Sequence, residues 1–208
     1  MKKVLFLGDS ITDVGRCLTS FEWILGGGYP TLVSAELGFE YPNEYDFINR
    51  GIAGNRVVDL YARIKRDVIN MKPDVLSILI GANDVWHDLD GQENGVDAEK
   101  YYKVYCMMIE ELKESNPDMQ ILILEPFALK GFNTEEHWDV FSDEIEKRAE
   151  MSKLVSEKYG LKFVPLKEKF KEAEKISAAD RWLVDGVHPT TRGHELIKRE
   201  WIKAFKEI

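Results

Sequence analysis

Short apolar runs rich in Val, Ile, Leu and Phe recur along the chain, separated by longer stretches of mixed polarity. The runs span residues 4–7, 47–48, 75–80, 121–124 and 163–164. Within each run the residues are mostly apolar in succession and do not alternate with polar ones, which is typical of strands buried on both faces of a parallel sheet. The pattern therefore predicts a strand at each run.

The stretches between these runs carry apolar residues at three- and four-residue spacing, which places them on one face of a helix. Such stripes cover residues 57–68, 101–112 and 138–155. Gly160 follows the last of them in the position expected of a helix C-cap. Another helix is predicted near the C-terminus, with Thr190 or Thr191 as its N-cap. Trp138 and Trp201 fall on helix stripes, so we expect them in the core.

This alternation of strand and helix predicts an α/β fold with right-handed crossovers and helices on both faces of a parallel sheet. The chain has 208 residues, enough for one substantial core, and it contains no linker-like stretch. We therefore expect residues 1–208 to form a single domain. In sheets of this kind the ligand crevice lies beyond the carboxyl ends of the strands, so catalytic residues are expected just after each apolar run.

Polar fragments follow the predicted strands: GDSITD, NRGIAGN, GANDVW and, near the C-terminus, DGVHPTTRGHE. Each has an ordinary local interpretation. Ser10 suits a turn or a helix N-cap, Asn83 an Asx turn, and Asp185 with Gly186 another turn. Together, however, the fragments supply a hydroxyl nucleophile, an imidazole, a carboxylate and hydrogen-bond donors, which are the groups that acyl transfer needs. We therefore interpret them as parts of one catalytic site.

The residue types predict how such a site works. A serine hydroxyl is a poor nucleophile at neutral pH unless a base removes its proton during attack, and the imidazole of His188 can do this. If the D-x-x-H segment makes one helix-like turn, Asp185 can accept a hydrogen bond from one ring nitrogen while the other faces Ser10. His194 is the rival base, but it falls within the last predicted helix, so we interpret it as a surface or capping residue.

Attack on an ester produces an oxyanion, which needs hydrogen-bond donors. The candidates are the backbone N–H groups of Ser10 and Gly54 and the side-chain amide of Asn83. Gly54 suits the role because the absence of a side chain lets its N–H approach the substrate closely. The chain order Ser, Asp, His is that of α/β-hydrolases, but no G-x-S-x-G motif surrounds Ser10.

These blocks resemble, in order, those of the SGNH hydrolases, also called GDSL esterases. GDSI matches the nucleophile block, with Ile11 in place of the usual leucine, and GIAGN matches the glycine block at Gly54. GAND matches the asparagine block at Asn83, and DGVHP supplies Asp185 and His188. The resemblance covers most of the chain. It implies a three-layer α/β/α sandwich around a flavodoxin-like, five-stranded parallel sheet, with a Ser-His-Asp triad that uses no metal and no cofactor.

The composition limits which classes of partner and which cellular location we expect. Lys and Arg number 28 against 37 Asp and Glu, a formal net charge of −9, whereas nucleic acid or an anionic membrane surface requires a basic patch. We expect neither, and favour a small neutral molecule. Cys17 and Cys106 are the only cysteines, so a disulfide framework is not predicted. The apolar stretch of MKKVLFLGDS ends at Gly8, and no run approaches the length of a membrane span, which indicates a cytoplasmic protein.

Substrate-binding candidates are the residues expected near the crevice: Trp86, Trp182, Tyr29, Arg56 and Asp13. The two tryptophans can wall an acyl or sugar site, because indole faces stack on sugar rings, although core packing explains them equally well. Tyr29, Arg56 and Asp13 have structural interpretations that are favoured over ligand binding.

The wording of the blocks, as in GIAGNRVVDL and KPDVLSILIGANDVW, is similar to that of bacterial carbohydrate acetylesterases, particularly intracellular acetylxylan esterases. That resemblance implies removal of acetyl groups from xylose-based oligosaccharides, and assembly into a homo-oligomer. Two alternatives stay open. One is a lysophospholipase or thioesterase with a longer apolar groove; the other is a noncatalytic carbohydrate-binding protein on the same fold.

Overall fold

The structure, a computed structural model, describes residues 1–16, 21 and 23–208. Its strands are β1 Lys2–Gly8, β2 Tyr45–Gly51, β3 Val75–Leu79, β4 Gln120–Leu124 and β5 Lys162–Val164. They form a parallel sheet of five strands in the order β2-β1-β3-β4-β5. Each predicted apolar run lies in one of these strands, apart from Ile80, which follows β3. The predicted flavodoxin-like parallel sheet is confirmed.

The α-helices of the described residues are α1 Ser10–Asp13, α2 Tyr29–Glu40, α3 Val57–Asp67, α4 Ala82–Leu89, α5 Ala98–Ser115, α6 Trp138–Tyr159, α7 Lys167–Glu174 and α8 Thr191–Phe205. The three predicted amphipathic stripes lie mainly in α3, α5 and α6. Gly160 is the C-cap of α6, with a left-handed φ of 62°. Thr190 is the N-cap of α8, where its side chain accepts a hydrogen bond from the Gly193 N–H. Thr191, the alternative N-cap, is the first helical residue.

Helices cover both faces of the sheet, so the three-layer sandwich is confirmed. Successive residues of β1 point into different cores: Phe6 packs with α2 and α8, whereas Leu7 packs with α3 and α5. Trp201 of α8 is fully buried, and its indole N–H donates to Oγ of Ser77 in β3 at 2.9 Å. Trp138 is only half-buried at the edge of the same core.

The strand order determines where a site can form. The chain leaves β1 for β2 on one side and later returns to β3 on the other, so a crevice opens at the carboxyl ends of these three strands. Ser10 follows β1, Gly54 follows β2 and Asn83 follows β3. The fold therefore brings three of the predicted site residues to one edge of the sheet.

Within the described ranges, no helix is both long and apolar enough to cross a membrane. Cys106 is a buried free thiol, and Cys17 lies outside the described residues. The cytoplasmic location, the single-domain organisation and the homo-oligomer stay predictions.

Candidate active site

Ser10 is the first residue of α1, directly after β1. Asp9 caps this short helix, because its Oδ1 accepts a hydrogen bond from the Ile11 N–H at 2.9 Å. Gly8 precedes them at a position with no room for a side chain: a Cβ there would lie 2.3 Å from Oγ1 of Thr12. This tight turn presents the Ser10 hydroxyl at the edge of the sheet.

The Ser10 hydroxyl contacts the predicted base, and the base contacts the predicted acid. Oγ of Ser10 lies 2.9 Å from Nε2 of His188, and Nδ1 of His188 lies 2.7 Å from Oδ2 of Asp185. An ionised carboxylate can only accept hydrogen bonds, so Nδ1 carries the ring proton and Nε2 is left to accept the proton of the serine hydroxyl. The three groups form a continuous chain of hydrogen bonds.

Asp185 and His188 lie at the tip of a hairpin and not in a helical turn, and the Asp185–His188 contact forms there. An antiparallel bridge between Leu183 and Pro189 closes the hairpin at its base. At the tip, Oδ1 of Asp185 accepts hydrogen bonds from the N–H groups of Val187 at 3.0 Å and His188 at 2.8 Å. One carboxylate oxygen thus shapes the turn while the other holds the imidazole.

These contacts determine the ionisation of the pair. Burial opposes ionisation of Asp185, but the hydrogen bonds from His188 and the two backbone N–H groups hold its pKa well below its ordinary value. The hydrogen bond to Asp185 raises the pKa of His188 above its ordinary value, against the opposing effect of partial burial. The acid stays charged and the imidazole is a stronger base than a free histidine.

Asn133 is a partner of the acid that sequence reasoning missed. Its side-chain amide donates to Oδ2 of Asp185 at 3.1 Å, and its backbone N–H donates to the carbonyl of the same residue at 3.0 Å. Two glycines let this loop approach the hairpin: a Cβ on Gly131 would lie 2.6 Å from the Gly186 nitrogen. No local pattern around Asn133 signals this contact.

The predicted oxyanion donors flank Ser10 on two neighbouring loops. Gly54 is exposed and adopts a left-handed φ of 80°, and a Cβ on it would meet no atom within 4 Å, so the space over its backbone is open. The side-chain amide of Asn83 donates one hydrogen to the carbonyl of Asn55 at 3.0 Å. That bond defines which side of the amide is NH₂ and leaves its second hydrogen for a ligand.

Two carboxylates lie buried beneath these loops. Asp84 is fully buried, and both of its oxygens accept from the Val57 N–H, at 3.0 and 3.2 Å, at the start of α3. Burial raises the pKa of Asp84 to about 7, and burial raises that of Asp9 to about 6. Asp84 and His87 repeat the D-x-x-H spacing, but the Asp84 carboxylate accepts from the first N–H of α3. Spacing alone therefore does not identify the catalytic acid.

The two predicted tryptophans have different surroundings. Trp86 is half-buried, and the centre of its ring lies 6.0 Å from that of the His188 ring. Trp182 donates its indole N–H to the Ser177 carbonyl at 3.3 Å. It lines a cavity of about 720 Å³ between α7 and α8, whose lining includes neither Ser10 nor His188. The structure therefore brings only Trp86 against the base.

The remaining substrate-binding candidates have structural partners. Tyr29 is fully buried in the core, and its hydroxyl lies 3.3 Å from Oγ1 of Thr12, so the prediction that it contacts substrate is wrong. Asp13 is also buried, and its carboxylate lies 4.0 Å from Nε of Arg16. The guanidinium of Arg56 pairs with Asp59, with Nε to Oδ2 at 2.9 Å, at the start of α3.

His194 is predicted to be a surface or capping residue; it is buried, so the surface interpretation is wrong, and its role is that of a capping residue. Its Nδ1 accepts a hydrogen bond from the Tyr29 N–H at 3.2 Å, so it caps the N-terminus of α2 and not that of its own helix. Burial lowers its pKa to about 4, which leaves the ring neutral at physiological pH. Among the residues that the structure describes, no three His, Cys, Asp or Glu side chains gather into a metal-binding group.

Comparison with known proteins identifies the family of the chain. Residues 6–196 match the GDSL-like Lipase/Acylhydrolase family. An acetylxylan esterase of Geobacillus stearothermophilus is 34% identical over 211 residues, which cover 97% of this chain and 93% of that protein. An isoamyl acetate-hydrolyzing esterase of Saccharomyces cerevisiae is 24% identical, over 99% of this chain and 86% of that protein.

Solved structures share the whole fold. A putative GDSL-like lipase from Parabacteroides merdae superposes with a TM-score of 0.92 at 34% identity, covering 99% of this chain and 95% of that one. The Geobacillus stearothermophilus acetylxylan esterase superposes with a TM-score of 0.86 at 32% identity, covering 98% and 93%. The chain belongs to the GDSL-like lipase/acylhydrolase family, the SGNH hydrolases, and is a carboxylic ester hydrolase.

Proposed function

We propose that this esterase removes acetyl groups from xylan-derived oligosaccharides, with Ser10 as nucleophile, His188 as base and Asp185 as the acid that orients the base. The observation that carries the proposal is the hydrogen-bond chain from Ser10 Oγ through the His188 ring to Asp185, with separations of 2.9 and 2.7 Å. A serine, an imidazole and a carboxylate in this arrangement are the parts that activate a hydroxyl for acyl transfer.

In the acylation step, Ser10 Oγ attacks the ester carbonyl carbon while its proton passes to Nε2 of His188. The resulting imidazolium is stabilised by the charged carboxylate of Asp185, whose lowered pKa keeps it ionised. The C–O bond to the sugar then breaks, and His188 returns the proton to the departing alkoxide. The products of this step are the free sugar hydroxyl and an acetylated Ser10.

Deacylation repeats the sequence with water as the nucleophile. His188 takes a proton from water as the oxygen attacks the acetyl carbonyl, and returns it to Ser10 Oγ as the bond between Oγ and the acetyl carbon breaks; acetic acid leaves and ionises in solution. In both steps the oxyanion is held by the N–H groups of Ser10 and Gly54 and by the free amide hydrogen of Asn83. A single such donor contributes about 100- to 1,000-fold to the rate.

The acetyl preference rests on the relatives and on one contact. Both curated relatives are named for acetate esters, one on xylan and one on isoamyl alcohol. A solved relative is described as an acetyl-xylooligosaccharide esterase. In this chain the Trp86 ring beside His188 offers an apolar wall next to the proposed acyl site, and an indole face also suits a sugar ring.

Turnover of nitrophenyl acetate by the wild type and by Ser10→Ala tests the mechanism. We expect Ser10→Ala to lower kcat by at least about 10⁴-fold. Ser142→Ala, which removes a half-buried hydroxyl of α6 that donates to the Asp139 carbonyl at 3.2 Å, is the matched control and should keep wild-type activity. Turnover that survives in Ser10→Ala removes Ser10 from the mechanism. Absence of turnover in the wild type on any ester supports the alternative of a noncatalytic binding protein.

An acyl-length series tests the substrate. We expect kcat/KM to fall steeply from acetyl to octanoyl nitrophenyl esters, because an acetylesterase needs only a small acyl pocket. Acetate release from O-acetylated xylo-oligosaccharides then tests the preference for the sugar, with O-acetylated chitobiose as the comparison. We expect faster release from the xylo-oligosaccharides. A preference for octanoyl esters would support the lysophospholipase or thioesterase alternative and would contradict the proposal.

A further inference from the structure

Arg63 lies on the face of α3 towards the sheet, and its guanidinium donates hydrogen bonds to four acceptors. Its side chain is 10% exposed and forms an ion pair with Asp67, with Nη1 to Oδ2 at 2.7 Å. The other bonds leave the helix: Nε donates to Oδ1 of Asn55 at 2.7 Å and Nη1 to the carbonyl of Arg50 at 2.8 Å. Nη2 donates to the carbonyl of Gly8 at 3.2 Å. The proposed mechanism so far uses none of these contacts.

The three acceptors outside α3 belong to separate segments that meet at the site. Gly8 ends β1, two residues before the nucleophile, and the Arg50 carbonyl lies near the end of the neighbouring strand β2. Asn55 follows Gly54 in the loop that is proposed to hold the oxyanion. A planar guanidinium with several fixed donors can join carbonyl groups in three directions, which an ammonium group does less well.

Asn55 connects Arg63 to the loop that carries Asn83. Its side-chain oxygen accepts from Arg63, and its backbone carbonyl accepts from the side-chain amide of Asn83 at 3.0 Å. The three residues therefore form a relay from the guanidinium to the proposed oxyanion donor. The orientation of that amide matters, since rotation by 180° would exchange its NH₂ for an oxygen that repels an oxyanion.

We propose that Arg63 is a positioning residue for the oxyanion hole, acting through Asn55 on the amide of Asn83. This inference rests on the proposed function, in which Asn83 donates to the oxyanion. Arg63 itself does not contact the substrate in this proposal. Because the oxyanion exists in the transition state and not in the bound ester, loosening the relay lowers kcat and leaves KM nearly unchanged.

The test is a double-mutant cycle on nitrophenyl acetate hydrolysis with Arg63→Ala and Asn83→Ala. We expect Asn83→Ala alone to lower kcat about 100- to 1,000-fold, and Arg63→Ala alone to lower it about 10- to 100-fold, with KM within about twofold. The double variant should be within about threefold of Asn83→Ala, because Arg63 has no effect once the amide is gone.

Matched variants separate positioning from general stability. Arg66→Ala removes a guanidinium that is 72% exposed and binds the same carboxylate of Asp67, with Nε to Oδ1 at 2.7 Å. It should keep wild-type kcat. Asn55→Ala breaks the relay at its middle while leaving the ion pair of Arg63 and Asp67 intact, so it covers the case in which Arg63→Ala fails to fold. It should reproduce the loss of kcat and its disappearance in the Asn83→Ala background.

The outcomes distinguish the relay from the proposed function. If Ser10→Ala and Asn83→Ala leave kcat unchanged, the proposed mechanism fails and the relay fails with it. If Asn83→Ala lowers kcat but Asn55→Ala has no effect, or lowers kcat equally with and without Asn83→Ala, the relay is overturned while the proposed function stands. A rise in KM with unchanged kcat for the folded Arg63→Ala variant overturns it as well.

Discussion

The side-chain amide of Asn133 donates to the same oxygen of Asp185 that accepts the ring N–H of His188, at 3.1 and 2.7 Å respectively. Two donors therefore share one carboxylate oxygen. A donor that stabilises the carboxylate weakens it as an acceptor for the imidazole, so Asn133 opposes the rise in the pKa of His188 that Asp185 produces.

We expect Asn133→Ala to move the acidic inflection of kcat/KM to higher pH by about 0.3–0.7 unit, because a carboxylate with one donor fewer holds the imidazolium more strongly. At the optimum, kcat should fall less than about tenfold, since His188 and two backbone N–H groups still hold the carboxylate. Asn43→Ala, at another exposed asparagine, is the control. An inflection at the wild-type pH would show that Asn133 supports only the loop.

In the wild type, kcat/KM should decline as the pH falls through the pKa of His188. The hydrogen bond to Asp185 raises that pKa, so the inflection is expected at or above about pH 6.5, the ordinary value for histidine. A pH–rate profile with nitrophenyl acetate, with circular dichroism at each pH to establish that the protein stays folded, measures it. A flat profile down to pH 5 would exclude His188 as the base.

Asp84→Asn should make the stability less dependent on pH. Burial raises the pKa of Asp84 from 3.8 to about 7, so the folded protein holds this proton more tightly than the unfolded chain does. The associated stability is complete below about pH 4 and is lost as the pH rises through about 7. Asparagine keeps an acceptor for the Val57 N–H without a charge.

The free energy of unfolding, measured by urea titration at pH 5 and pH 8, tests this. We expect the wild type to lose on the order of 1–3 kcal/mol more than Asp84→Asn between the two values. Asp46→Asn, at an exposed carboxylate, provides the comparison. Equal losses in the wild type and Asp84→Asn would mean that Asp84 is ionised throughout this range.

Trp86→Ala should affect glycan substrates more than simple esters. The Trp86 ring packs at 6.0 Å from the His188 ring and at 6.1 Å from the Phe141 ring. If its face binds sugar, its removal raises KM for acetylated xylo-oligosaccharides by about fivefold or more, a loss of about 1 kcal/mol. Trp86→Phe should be intermediate. An equal rise in KM for nitrophenyl acetate would assign Trp86 to the acyl side or to packing.

The sequence by itself determined the elements and the family. The apolar runs mark the strands because a parallel strand is buried on both faces, and Gly160 and Thr190 mark helix ends through local backbone chemistry. The order of the blocks carrying Ser10 and His188 was sufficient to indicate an SGNH hydrolase. Each apolar run, cap and block is a local signal that can be seen within a few consecutive residues, and only the order of the blocks spans the chain.

Only the tertiary structure decided which further polar groups meet around the predicted Ser-His-Asp triad. Asn133, Asn55 and Arg63 carry no local signal, since their partners lie on other loops and the contacts depend on strand order and on how the loops pack. The same is true of Tyr29 and His194, whose burial follows from the packing of α2 against α8. Periodicity assigns a residue to a face of its own helix or strand, but it does not indicate which residue of a neighbouring element that face contacts.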